Sequence, residues 1–198
     1  MVLFGADRVA EFQELFAGRV ALLTGPSGRT SGNEPTFDVL KQCCDLRLLL
    51  APEHGVRGDK AAGALFADEI DEESRLPVRS LYTRDSKRLS QETLALFDTL
   101  VYDMADVGCR YYTFLTTLRY CVEDCAAAGK RLVVLDRPNP LGDRIEGGAA
   151  LRLRPAHRPL RRSYPEYDLP GLGALLGHAE HGHSPIRNRP AVPRHLPD

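Results

Sequence analysis

Four short apolar runs, each followed at once by turn or polar residues, constrain this chain most: Val20-Ala21-Leu22-Leu23-Thr24, Leu46-Arg47-Leu48-Leu49-Leu50-Ala51, Leu100-Val101-Tyr102-Asp103 and Arg131 to Leu135. They are too short for buried helices and too continuous for strands with one wet face, so they read as strands covered on both sides. Helical patterns lie between them, roughly over 6–16, 35–44 and 113–128, with another beginning at Ser90-Gln91-Glu92, where a capping serine precedes an acidic first turn. A short extended piece, Pro77 to Tyr82, completes the series. The expectation is an α/β fold: an open, mostly parallel, Rossmann-like sheet with helices on both faces.

The regular pattern stops near residue 150. Residues 1–150 carry 18 basic and 23 acidic side chains, net −5, whereas residues 151–198 carry 8 and 4, net +4. The second part holds 8 of the 14 prolines and 5 of the 6 histidines, and all its basic charge is arginine. Such a composition does not readily supply a packed core. We therefore expect a Rossmann-like catalytic domain over 1–150 and an irregular, poorly ordered tail over 151–198, resembling residues read in a wrong frame. The overall charge of −1 gives no general electrostatic case for nucleic acid or an anionic membrane as partner. No apolar run reaches the length of a membrane helix, and the first residues meet charge too early for a secretory signal, so the chain as written is expected in the cytoplasm. Its oligomeric state is not legible.

In an open parallel sheet the ligand crevice lies outside the carboxyl ends of the strands, so residues just after each apolar run converge whatever their separation in sequence. Here those residues are Glu53 and His54, then Asp103, Asp106 and Arg110, then Asp136, Arg137 and Asn139, with Glu146 shortly beyond. Several carboxylates on one rim offer the two partners that cleavage of a glycosidic bond requires, one protonated to help the leaving oxygen depart and one ionised. Structural roles compete with this reading: Asp136 can organise the turn before Pro138, Asp103 can cap the segment after it, and Arg110 can be the ion-pair partner of Asp103.

Other patterns carry less. Gly25-Pro26-Ser27-Gly28 follows a strand as a phosphate loop would, but lacks the Gly-Lys-Ser/Thr ending. His178, Glu180, His181 and His183 resemble metal ligands without a scaffold, and Cys121 and Cys125 continue an apolar helical stripe with Phe114, Leu118 and Val122. No metal site is expected.

Four segments together resemble one family. Leu50-Ala51-Pro52-Glu53-His54-Gly55-Val56-Arg57-Gly58, Leu76 to Tyr82, Asp103-Met104-Ala105-Asp106-Val107-Gly108-Cys109-Arg110-Tyr111-Tyr112-Thr113 and Val134-Leu135-Asp136-Arg137-Pro138-Asn139-Pro140-Leu141-Gly142 are similar, in order and spacing, to segments of the exo-β-N-acetylmuramidases of the NamZ type. The resemblance covers roughly residues 5 to 150. It implies a Rossmann-like N-terminal domain, a smaller C-terminal domain with the cleft between them, and removal of terminal N-acetylmuramic acid from the non-reducing end of peptidoglycan fragments. It makes Glu53 the first choice for general acid/base, with His54, Asp103 and Asp106 as further catalytic candidates. Arg110, Tyr112, Asp136, Arg137, Asn139 and Glu146 become substrate-binding candidates, Arg110 and Arg137 suiting the lactyl carboxylate. The second catalytic group is either a carboxylate or the substrate's own acetamido oxygen. No metal or organic cofactor is called for.

The chain departs from the family pattern where Gly25 and Ala105 replace polar residues. It also departs after Glu146-Gly147, where the approach to a second domain does not appear. Loss of activity through truncation is accordingly one expectation. A non-catalytic module binding a sugar or anion is the alternative from another class, and a poorly folding product is a third.

Overall fold

The computed structural model describes residues 3–52, 54–60, 68–82, 86–109 and 112–141. Six strands form one sheet: β1 (Arg19–Thr24), β2 (Asp45–Ala51), β3 (Glu69–Ile70), β4 (Pro77–Ser80), β5 (Thr99–Asp103) and β6 (Arg131–Val134). Their order across the sheet is β3-β4-β2-β1-β5-β6. Every pairing is parallel except that of β3 with β4. Leaving out the antiparallel edge strand, the parallel strands run third-second-first-fourth-fifth, the Rossmann arrangement, in which the order reverses beside β1. The division expected at residue 150, the tail over 151–198 and its histidines lie outside the described residues.

Among the described residues three α-helices lie between strands: α1 (Thr36–Cys43), α2 (Gln91–Leu94) and α3 (Phe114–Ala127). Ser90 caps α2 as its sequence suggests, its hydroxyl accepting from the Thr93 amide. Right-handed crossovers that run in opposite directions across the sheet, β1 to β2 and β5 to β6, put α1 and α3 on opposite faces. One face gathers Val20, Leu22, Leu49, Ala51, Val78 and Val101 under Phe37 and Leu40 of α1. On the other, α3 is tied to the strand ends, because Tyr102 Oη donates to the Phe114 carbonyl and Tyr82 Oη shares a 2.6 Å hydrogen bond with Thr117. Its Leu118, Cys121 and Cys125 are buried, and burial pushes the Cys125 thiol up to about 11, as expected of an apolar stripe rather than of ligands.

The alternation of β2 is broken once. Val20 pairs with Leu46 but Ala21 pairs with Leu48, so Arg47 is the extra residue of a bulge and remains exposed beside Asp45. That slip lets Leu46 and Leu49, three residues apart, enter one cluster.

Residues 6–16, read from sequence as one helix, form two 3-10 helices, Gly5–Glu11 and Gln13–Phe16, separated at Phe12. The tighter three-residue turn brings Ala6 and Val9 onto the same buried side. The segment is held by Gly5, whose amide donates to the Asp136 carbonyl at 2.8 Å. A Cβ on Gly5 would stand 2.7 Å from both the Asp136 nitrogen and the Leu135 Cα, backbone atoms that cannot swing aside. Gly5→Ala should therefore destabilise the fold by about 2 kcal/mol through forced separation of these segments. Denaturant titration measures the loss, and an unchanged midpoint would contradict the close approach.

Candidate functional site at the carboxyl rim of the sheet

Because β1, β2, β4, β5 and β6 are parallel, their carboxyl ends deliver Thr24, Ala51, Ser80, Asp103 and Val134 to one side of the sheet. The residues that follow form the rim. Of the candidates read from sequence, Glu53, Arg110 and Glu146 lie outside the described residues; His54, Asp103, Asp106, Tyr112, Asp136, Arg137 and Asn139 are described.

The loop after β2 is closed on itself. The Lys60 amide donates to the His54 carbonyl at 3.2 Å, and the Lys60 carbonyl lies 3.3 Å from His54 Nδ1. His54 has a φ of 70°, in the left-handed region that a non-glycine residue adopts only where its surroundings enforce it. Its side chain is exposed. Arg57 anchors this loop from below, with Nε and Nη2 donating to the two carboxylate oxygens of Asp71 at 2.6 and 2.8 Å, Nη1 paired with Glu73, and its guanidinium over the Phe37 ring. Asp71 also accepts from the Ser74 amide, and the turn it organises is met by Lys41 of α1, whose Nζ donates to the Ser74 carbonyl.

The centre of the rim is occupied by an ion pair. Asp103, fully enclosed at 0% exposure, accepts from Nε and Nη2 of Arg137 at 2.8 and 2.5 Å. The Arg137 side chain is 8% exposed; its Nη1 donates to the Arg29 carbonyl and its guanidinium lies 5.2 Å from the Phe4 ring centre. Burial pushes the Asp103 carboxyl above the usual range, against the opposing pull of Arg137 and Thr36. Among the described residues its Oδ2 and the Thr36 hydroxyl have no hydrogen-bond partner of normal geometry.

One structural alternative read from sequence makes Arg110 the ion-pair partner of Asp103; Arg110 lies outside the described residues, and the partner shown among the described residues is Arg137, from the neighbouring strand end. Sequence reading put Asp103 among catalytic and Arg137 among substrate-binding candidates, and the structure places both in this enclosed pair. Three other candidates sit in turns. Asp136 Oδ1 accepts from the Arg137 amide, Asn139 Oδ1 from the Leu141 amide, and exposed Asp106 accepts from the Gly108 amide through Oδ1. Tyr112 is half-buried and packs edge-on against Phe114 at 4.8 Å, with burial raising its hydroxyl's pKa.

The loop after β1 turns several of its amides inward. Gly28 N donates to the Gly25 carbonyl, Arg29 N to that of Ser27 and Thr36 N to that of Gly28, so these amides are not offered to a phosphate. A Cβ on Gly28 would lie 1.9 Å from Thr24 Oγ1 and 3.2 Å from Asp103 Oδ2, which leaves glycine as the fit at that position. Sequence reading passed over this loop as a failed phosphate motif; its place in the site comes from contacts. Gly58 of the β2 loop, at φ 77°, packs so closely on Pro26 that a Cβ there would come within 2.8 Å of Pro26 Cγ.

A family model for the N-terminal part of the exo-β-N-acetylmuramidase NamZ matches residues 20–156. This chain belongs to the NamZ N-terminal family. Over 138 residues it is 41% identical to the peptidoglycan β-N-acetylmuramidase NamZ of Bacillus subtilis (strain 168), covering 68% of this chain and 33% of that protein. Two solved structures of DUF1343 family proteins from Bacteroides fragilis superpose with TM-scores of 0.61 and 0.57 at 38% and 30% identity, covering 71% and 70% of this chain and 35% of each of theirs. The chain thus spans about a third of the length of these relatives, and within the NamZ match fall the β2 loop, Asp103 and Arg137.

The Arg57–Asp71 clamp yields a pH prediction. Hydrogen bonds from Arg57 hold the Asp71 carboxyl well below the usual carboxylate range. A depressed folded-state value means a contribution present above the unfolded Asp value of about 3.9 and lost as pH falls toward the folded value. Asp71→Asn should cost about 2 kcal/mol at neutral pH, and the gap to wild type should close as pH drops below about 4. Thermal unfolding of both proteins across that range checks this, and a gap that stays constant would show that the ionised form is not what the clamp stabilises.

Proposed function

We propose that this chain provides the Rossmann-like part of a glycoside hydrolase that releases terminal N-acetylmuramic acid from the non-reducing end of peptidoglycan fragments. The observation that carries the reading is the NamZ match across residues 20–156, which contains Glu53 and the other strand-end candidates. The 41% identity to a protein named as a peptidoglycan β-N-acetylmuramidase supports it.

In this reading Glu53, two residues beyond the end of β2, is the general acid/base that protonates the departing glycosidic oxygen. The closed 54–60 loop, clamped by Arg57, gives the chain just after Glu53 a fixed course. Asp106, exposed after β5, is the carboxylate proposed to face the sugar, and Arg110 is the cation proposed for the lactyl group. Arg137 does not suit that second task, because three of its N–H directions are already spent on Asp103 and the Arg29 carbonyl.

The test is sugar release from a chromogenic glycoside ending in N-acetylmuramic acid. Glu53→Gln should lower kcat/KM by about 10³-fold without shifting the melting temperature, within the range typical of lost general acid/base catalysis. Turnover unaffected by the substitution would overturn the role of Glu53. Binding of the glycoside without turnover by the unaltered chain would favour a sugar-binding module.

A further inference from the structure

The loop after β1 lies between two other rim segments. On one side Arg137 reaches it, donating from Nη1 to the Arg29 carbonyl at 2.6 Å while the rest of its guanidinium is held by Asp103. Asp7 supports the same loop by accepting from the Ser31 amide at 2.8 Å. On the other side Pro26 is in contact with Gly58, within the loop that the Lys60 amide closes onto the His54 carbonyl. A continuous set of contacts therefore runs from the end of β5 through Arg137, Arg29 and Pro26 to the segment that directly follows Glu53.

We propose that Asp103 and Arg137 are positioning residues that set the 54–60 loop, and with it the neighbouring glutamate, by holding the β1–α1 loop against it. Asp103 is sealed from solvent, and its Oδ1 takes both Nε and Nη2 of Arg137 and so aims the guanidinium. An arginine suits this task because its fork of donors binds a carboxylate and a carbonyl at once in a planar geometry. Packed loops pass on such a constraint because close-packed contacts leave little room for continuous adjustment. Where it bears on turnover, the proposal rests on the hydrolase reading above.

Two measurements on the full chain decide it. The first is backbone hydrogen exchange of the Thr36 and Lys60 amides, which bond to the Gly28 and His54 carbonyls, with β1 amides as the reference for global stability. Asp103→Asn should speed exchange at both rim amides by at least about tenfold relative to β1. Acceleration at Thr36 alone, or equal acceleration in the strand, overturns the coupling. The second is the pH profile of kcat/KM on the muramic-acid glycoside. Asp103→Asn should lower the rate by roughly 10- to 100-fold, as misplacement of a catalytic group does, while leaving both inflections where they were. Disappearance of one limb would make Asp103 the acid or base and overturn the proposal.

Arg137→Lys serves if the asparagine variant does not fold: it keeps a neutralising charge but cannot span Asp103 and the Arg29 carbonyl together, so it should reproduce the exchange changes in milder form. If the unaltered chain does not cleave the glycoside, the hydrolase reading fails, and the exchange arm still decides the positioning role.

Discussion

A carboxylate sealed at the end of a central strand must either give up its charge or find a cation, and the rim of this protein is organised around the second solution. Taking both ions of the Asp103–Arg137 pair out of water is costly, and only close, multiple hydrogen bonds offset the cost. Those bonds are present, yet burial still raises the Asp103 carboxyl above its usual range. The pair is therefore poorly explained as a source of stability. It is better explained as a source of geometry, since it makes the ends of β5 and β6 and the loop after β1 mutually dependent.

The Rossmann strand order sharpens the point. In that arrangement the crevice beside the first strand, where the order reverses, commonly receives a nucleotide phosphate on the free amides of a glycine-rich turn. Here Gly25-Pro26-Ser27-Gly28 stands at that place, but the Gly28 and Arg29 amides bond within the loop and Gly28 packs onto Thr24 and toward Asp103. Shared topology thus fixes where a site can form without fixing its chemistry.

Much of the scaffold was readable from the chain alone. β1, β2 and β5 announce themselves as continuous apolar runs because both faces of a parallel sheet are covered, β6 does so although it is a part-buried edge strand, and Ser90 announces α2 because only a few side chains can cap a helix. What escaped has a common cause. β3 consists of exposed Glu69 and Ile70 and exists through its pairing with β4, and the N-terminal 3-10 segment is pinned where Gly5 meets the Leu135 and Asp136 backbone just past β6. The β3–β4 pairing is short-range but uses exposed residues without an apolar pattern, and the Gly5 contact joins segments distant in sequence; local pattern encodes neither.

The candidate site follows the same division. Convergence of Asp103, Asp106, Asp136 and Arg137 on one edge follows from strand polarity and was legible; the use of each side chain was not. Arg110 is the cation near Asp103 along the chain, but neighbouring parallel strands also bring their ends together, and Arg137, 34 positions away, is held by Asp103 in this way. Turn geometry then absorbs the Asp136 and Asn139 side chains, each accepting from a nearby backbone amide. A strand-end carboxylate is consequently a statement about location. Whether it reacts, caps or aims another group is decided by what the adjacent strand delivers to the same place.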